Sequence, residues 1–139
     1  MSGYLLDTNV VSEVRKGQRA NPRVLAWLET IEDDRLFLSV LVIGEIRKGV
    51  EQARLQDRAK APALERWLHG LEQKYAAEHI LPVTAAIADQ WGRLAAIRPI
   101  PAVDALLAAT ALVHDLTFVT RNVQDVAHTE VRLLNPFEG

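Results

Sequence analysis

The feature that most constrains this chain is a repeated local pattern: a short apolar run, then a residue able to cap a helix, then a helix-compatible segment. Tyr4-Leu5-Leu6 leads into Asp7-Thr8-Asn9 and then Val10 to Arg15. Leu36-Phe37-Leu38 leads into Ser39 and a segment carrying Val42, Ile43, Ile46 and Val50. Ile80-Leu81-Pro82-Val83 leads into Thr84 and a segment carrying Ile87, Trp91 and Leu94. An Asp, Ser or Thr oxygen at such a junction accepts a hydrogen bond from a free amide of the first helical turn, so each junction predicts a strand passing directly into a helix. Proline cannot donate to a β-ladder, and Pro82 therefore marks its run as an edge strand.

The intervening segments fit the same architecture. Asn21-Pro22 supplies a cap and a first-turn proline for a helix with Val24, Leu25, Trp27 and Leu28 on one face, ending near Glu32. From Pro62 onward, Leu64, Trp67, Leu68, Leu71 and Tyr75 recur at spacings of three and four, the period of an amphipathic helix. Pro99 and Pro101 force a loop, Val103 to His114 is helical by composition, and the β-rich Thr117-Phe118-Val119-Thr120 follows. A turn at Arg121-Asn122 leads to a last strand, Val131 to Leu134. Strands alternating with helices predict an α/β domain of three layers, with a mainly parallel central sheet flanked by helices and right-handed crossovers.

The length of 139 residues suits one domain spanning 1–139, and no repeat, linker or low-complexity segment divides it. A hydrophobic fraction of 49% with 24% charged residues excludes disordered and coiled-coil classes. Cysteine is absent, which removes disulfides, thiolate metal sites and a cysteine nucleophile. No export signal is visible at the N-terminus, and the apolar stretch from Ala105 to Val113 falls short of the ~18–20 residues that span a bilayer. A cytoplasmic protein without a membrane partner is expected. A formal net charge of −2 lacks a global basic excess, so a polyanion must be met by a local patch.

In open α/β sheets, ligands gather beyond the carboxyl ends of the strands. Asp7 ends the first strand, Glu45 sits early in the helix after the second, Asp104 opens a late helix, and Asn122 and Asp125 follow the Thr117–Thr120 strand. The topology places all of them on one edge. Three or four carboxylates in one crevice repel one another unless a cation occupies the space. Carboxylate and amide oxygens are hard ligands, suited to Mg2+ or Mn2+ rather than zinc. Such an ion serves phosphodiester hydrolysis by activating water and stabilising the leaving oxygen.

Each acid also has an ordinary reading. Asp7 can be a helix cap, Glu45 a surface helix acid, Asp104 a favourable charge at a helix start, and Asp125 a turn residue. Arg15, Lys16, Arg19, Arg47, Lys48 and Arg121 flank the proposed crevice, where they either neutralise phosphates or are simply solvated. Trp27, Trp67 and Trp91 sit at apolar helical spacing and are expected in the core. His69, His79, His114 and His128 show no metal-ligand spacing, and no serine triad or phosphate-binding glycine loop is present.

Several segments in order resemble the PIN-domain family, specifically its bacterial VapC and FitB-like members. They are Tyr-Leu-Leu-Asp-Thr-Asn-Val at 4–10, Ser39 with Gly44-Glu45-Ile46-Arg47-Lys48-Gly49, the run from Asp104 to Ala111, Thr120-Arg121-Asn122-Val123-Gln124-Asp125, and Leu134-Asn135-Pro136-Phe137. The resemblance spans nearly the whole chain. It implies an acidic triad of Asp7, Glu45 and Asp104 with Asp125 as a fourth acid near the metal, Thr120 and Asn122 as secondary candidates, and Thr8 and Asn9 in support. The family often has phenylalanine after the fourth acid, where this chain has Val126, and either Asn122 or Asp125 can face the metal. The implied activity is a Mg2+- or Mn2+-dependent endoribonuclease, the toxin of a VapBC-like toxin–antitoxin pair. The implied partners are an RNA substrate, a second copy in a homodimer, a small VapB-like antitoxin and, through the antitoxin alone, operator DNA. The competing expectations are a phosphatase-like hydrolase, disfavoured by Asn9 where a second Asp would stand, and a non-catalytic antitoxin-binding module.

Overall fold

The computed structural model describes residues 3–138; the first two residues and the last of the expected 1–139 domain lie outside the described residues. Strand β1 (Tyr4–Leu6) is followed by α1 (Thr8–Arg15) and α2 (Pro22–Glu29), then β2 (Leu36–Ser39), α3 (Val40–Gln56), α4 (Ala61–Lys74) and β3 (Ile80–Leu81). The second half contains α5 (Ala85–Ile97), α6 (Ala102–His114), β4 (Thr117–Val119), α7 (Val123–Val126) and β5 (Leu133–Leu134). The sheet has the order β3-β2-β1-β4-β5, with every adjacent pair parallel. The parallel α/β expectation holds, and β3 with its trailing Pro82 is an edge strand.

This order positions a site. From β1 the chain steps outward through β2 to β3, then returns across the sheet to place β4 on the other side of β1. Right-handed crossovers put α1 to α4 on one face and the helices that follow β3 on the other. Strand order reverses between β1 and β4, so their carboxyl ends open a crevice at a topological switch point. The register aligns Leu6 with Val119, and the Asp7 amide donates to the Val119 carbonyl at 2.9 Å. Asp7 and Thr120 are the residues that emerge side by side.

The core is continuous on both sides of the sheet. Leu5, Leu38, Phe118 and Val119 are buried on the strands, with Val10, Val24, Val42, Leu68 and Ile87 packed from the helices. Helix α6 is buried along Leu107 to Ala111; its small alanines allow close approach to α5 and the sheet, and Thr110 satisfies its buried hydroxyl by donating to the Leu106 carbonyl at 2.7 Å. The helix stops at Asp115, whose φ of 55° is the left-handed conformation a short polar side chain tolerates. No helix among the described residues is long and apolar enough to cross a membrane.

Three local expectations need correction. The second helix ends at Glu29 rather than near Glu32, and the chain reaches β2 through a 3-10 turn at Asp33–Arg35. The segment after Arg121-Asn122 is not only a turn: it forms α7 and a further 3-10 turn, and the last strand is reduced to Leu133–Leu134. Trp27 and Trp67 pack against the core as expected, whereas Trp91 is 37% exposed on α5.

Candidate functional site

Asp7 is the structural centre of the crevice. As the cap of α1 it accepts from the Thr8 amide at 2.7 Å, and its second oxygen accepts from the Thr120 hydroxyl at 2.7 Å and the Asn9 side-chain amide at 3.2 Å. Only 4% of the residue is exposed. Burial pushes its pKa up, the bonds from Thr120 and Thr8 oppose this, and the neighbouring Glu45 charge adds to the rise. The ordinary capping role and a functional role thus coexist in one carboxylate.

The supporting residues form a single net around it. Thr120 donates to Asp7 while its oxygen accepts from the Asn122 amide at 2.9 Å. Asn9 bridges in the other direction, its carbonyl oxygen accepting from the Arg121 amide at 3.2 Å. Thr8 donates its hydroxyl to Glu45 at 2.5 Å, so the beginning of α1 holds two acids, one by its cap and one by its side chain. Asn122 therefore contributes through its backbone, as the residue preceding α7.

Asp104, in the first turn of α6, has its pKa raised to about 6. Burial is the largest cause, followed by the charges of Asp7, Asp125 and Glu45. Asp7, Glu45 and Asp125 are thus all within electrostatic reach of Asp104. Asp125, on α7, and Glu45, on α3, are the exposed members, and the charges of both are felt at Asp104. As they stand, no three Asp, Glu, His or Cys side chains among the described residues are drawn tightly enough together to share one ion. The donor chemistry nevertheless fits a hard cation: only carboxylate oxygens converge, and their repulsion is what a cation would relieve.

The flanking cations separate into different roles. Arg47 places its guanidinium on Glu65 at 2.7 Å through both terminal nitrogens and reaches Glu51 at 3.1 Å, so it fastens α3 to α4 rather than awaiting a phosphate. Arg15 lies over the Trp67 ring, 5.4 Å from its centroid, and Lys16 pairs with Glu13 at 3.0 Å. Arg121 stacks on Phe137. Sequence reasoning missed Glu13, a buried acid on α1 that accepts from the Asn21 amide at 2.8 Å as well as from Lys16. These bonds hold its pKa below the ordinary carboxylate value. Only its i,i+3 spacing to Lys16 hinted at a role.

Comparison with known proteins agrees with the architecture. The PIN domain family model matches residues 4–129. Toxin FitB of Neisseria gonorrhoeae is 33% identical over 138 residues, covering 96% of this chain and 97% of that protein. VapC ribonuclease Y4jK of Sinorhizobium fredii is 27% identical over 139 residues, covering 96% and 97%. The crystal structure of FitAcB from Neisseria gonorrhoeae superposes with a TM-score of 0.85 at 32% identity, covering 98% of this chain and 99% of that one.

Proposed function

Because the chain belongs to the PIN-domain family, we propose that it is a divalent-metal-dependent endoribonuclease, the toxin half of a VapBC-like toxin–antitoxin pair. The observation that carries this reading is the gathering of the Asp7, Glu45, Asp104 and Asp125 charges at the β1/β4 switch point. The names of two relatives, a toxin and a ribonuclease, support the same activity.

In this reading Asp7, Glu45, Asp104 and Asp125 would hold Mg2+ or Mn2+. When bound, such an ion neutralises charge on the scissile phosphate and makes water a better nucleophile. The remaining work belongs to the chain. Thr120 and Asn9 fix the carboxylate of Asp7 by hydrogen bonds, so it does not reorient as charge shifts nearby. Thr8 fixes Glu45. Asp104, with a pKa of about 6, is poised to exchange a proton with solvent near neutral pH. By analogy the products carry 5′-phosphate and 3′-hydroxyl ends.

The toxin role brings expected partners: an RNA substrate, a second copy of the chain, a small VapB-like antitoxin and, through the antitoxin, operator DNA. One domain in the cytoplasm suffices for this role. Incubating partner-free protein with mixed tRNA and mRNA, in Mg2+, Mn2+ or chelator, tests the enzyme. Cleavage that needs the ion and disappears in Asp7→Asn and Asp104→Asn is expected; full activity in both variants would refute the proposed site. Co-purification with the product of an adjacent small open reading frame tests the antitoxin. Its absence would remove the toxin–antitoxin role and leave the nuclease standing.

A further inference from the structure

We propose that Arg121 is a substrate-binding residue, held by Phe137 and Glu13 so that its guanidinium receives an RNA phosphate beside the acidic crevice. This rests on the nuclease reading above. Its guanidinium carbon lies over the buried Phe137 ring, 3.8 Å from the centroid, a cation–π contact that holds the group in place. One edge points toward Glu13, with Nη2 3.9 Å from Oε1, too long for a hydrogen bond. The backbone of Arg121 is fixed as well, through Asn9, to the net that holds Asp7.

Four other arginines make a contrast. Arg47 and Arg54 share Glu65 and Glu51, Arg93 pairs with Asp89, and Arg132 closes on Asp115 with both terminal nitrogens. Those groups have their donors engaged by acids. Among the described residues the acid that pairs with Arg121 is Glu13, which already accepts from Lys16 and the Asn21 amide, and the Arg121 side chain remains 56% exposed. A planar cation is thus held on one face and one edge, and among the described residues no hydrogen bond occupies its five donors. Although its chain neighbours belong to the acidic site, it pairs with Glu13 rather than with any of the four acids.

What lies in front of it is a cleft of about 260 Å3 between α7 and the tail after β5, lined by Arg121, Asn122, Gln124, Asp125, Asn135 and Glu138. Asp125 belongs to both the cleft and the acidic group, so a strand with one phosphate at the acids would leave a neighbouring phosphate at the cleft. The acids repel polyanions, and a fixed guanidinium at the rim offsets that repulsion at a defined point. A fork of N–H donors matches a phosphate, and preorganisation reduces the rotamer entropy lost on binding. The Asn135-Pro136-Phe137 segment also gains a role: Asn135 accepts from the Phe137 amide at 3.0 Å and shapes the turn that presents the ring.

The test is binding of a fluorescent single-stranded RNA oligonucleotide, with Mg2+, to full-length Asp104→Asn protein between about 50 and 200 mM KCl. Adding Arg121→Ala should weaken binding roughly tenfold and reduce the log-affinity against log-salt slope by about 0.7, the loss of one phosphate contact on a single strand. Adding Phe137→Leu, which keeps an apolar side chain under the tail, should weaken binding roughly threefold with the slope unchanged, because the charge remains but is no longer held by the ring. Arg93→Ala should change neither. In wild-type background, Arg121→Ala should raise KM more than it lowers kcat. Affinity and slope unaltered by Arg121→Ala, while wild type cleaves RNA, would overturn this assignment alone and leave Arg121 a clamp for the C-terminal tail. No RNA binding and no cleavage by any form would overturn it together with the nuclease reading.

Discussion

Replacing Asp104 by Asn should stabilise the protein when no divalent ion is present. Among the described residues nothing donates a hydrogen bond to this carboxylate; burial and the charges of Asp7, Asp125 and Glu45 raise its pKa from 3.8 to about 6. Ionising it in the folded state therefore opposes folding. A shift of this size corresponds to about 3 kcal/mol at ~1.4 kcal/mol per pH unit. Asp104 is only partly buried, and solvent screening brings the expected gain to about 1–2 kcal/mol. For a chain of 139 residues that is a rise in Tm of roughly 3–7 °C. The pH dependence has a definite sign. A carboxyl whose folded pKa lies above its unfolded value favours the fold below about pH 4, and that contribution is lost as the pH rises through about 6. The asparagine variant should match wild type near pH 4 and exceed it at pH 7.5. Thermal unfolding in chelator at the two pH values measures this directly. With saturating Mg2+ the order should narrow or reverse, because an ion binding the folded wild type stabilises it by mass action. A variant less stable than wild type at pH 7.5 in chelator, or equally advantaged at both pH values, would refute the account of the acidic crevice.

Thr120→Val removes the donor to Asp7 while the carboxylate stays buried, and should cost about 1–3 kcal/mol in urea unfolding along with most RNA cleavage. Phe118→Ala, at the centre of the sheet, should cost about 3–5 kcal/mol by the same assay. Arg47 and Arg54 hold the Glu65 carboxyl down to about 2, so the α3–α4 ion pairs stabilise fully above pH 4.5 and fade as the pH falls toward 2. Glu65→Gln should lower the urea midpoint at pH 6 and converge with wild type near pH 2.

Much of this arrangement was legible locally. Asp7, Ser39 and Thr84 all accept from helix amides as their positions after apolar runs predicted, and alternation of such units dictates a parallel sheet. Asp104 and Asp7 were placed on one edge by topology alone. What escaped was either too short or too distant. Helix α7 spans four residues, about one turn, which leaves no period to detect. Arg47 and Glu65 are eighteen positions apart and meet only because α3 and α4 pack together, so nothing near Arg47 foretold that its charge was spent. The same is true of Glu13, Arg121 and Phe137, which come from α1, the loop after β4 and the C-terminal tail. Trp91 kept an apolar period while remaining at the surface, because periodicity identifies a face without saying what covers it.

The central claim is that four clustered carboxylates hold the ion that cleaves RNA. The most direct measurement titrates Mn2+ into metal-free protein and follows ion occupancy and RNA cleavage in the same samples, for wild type and Asp104→Asn. The account predicts that cleavage tracks occupancy in wild type and that both are lost in the variant. Cleavage that persists in chelator, or full ion binding and turnover in Asp104→Asn, would contradict it.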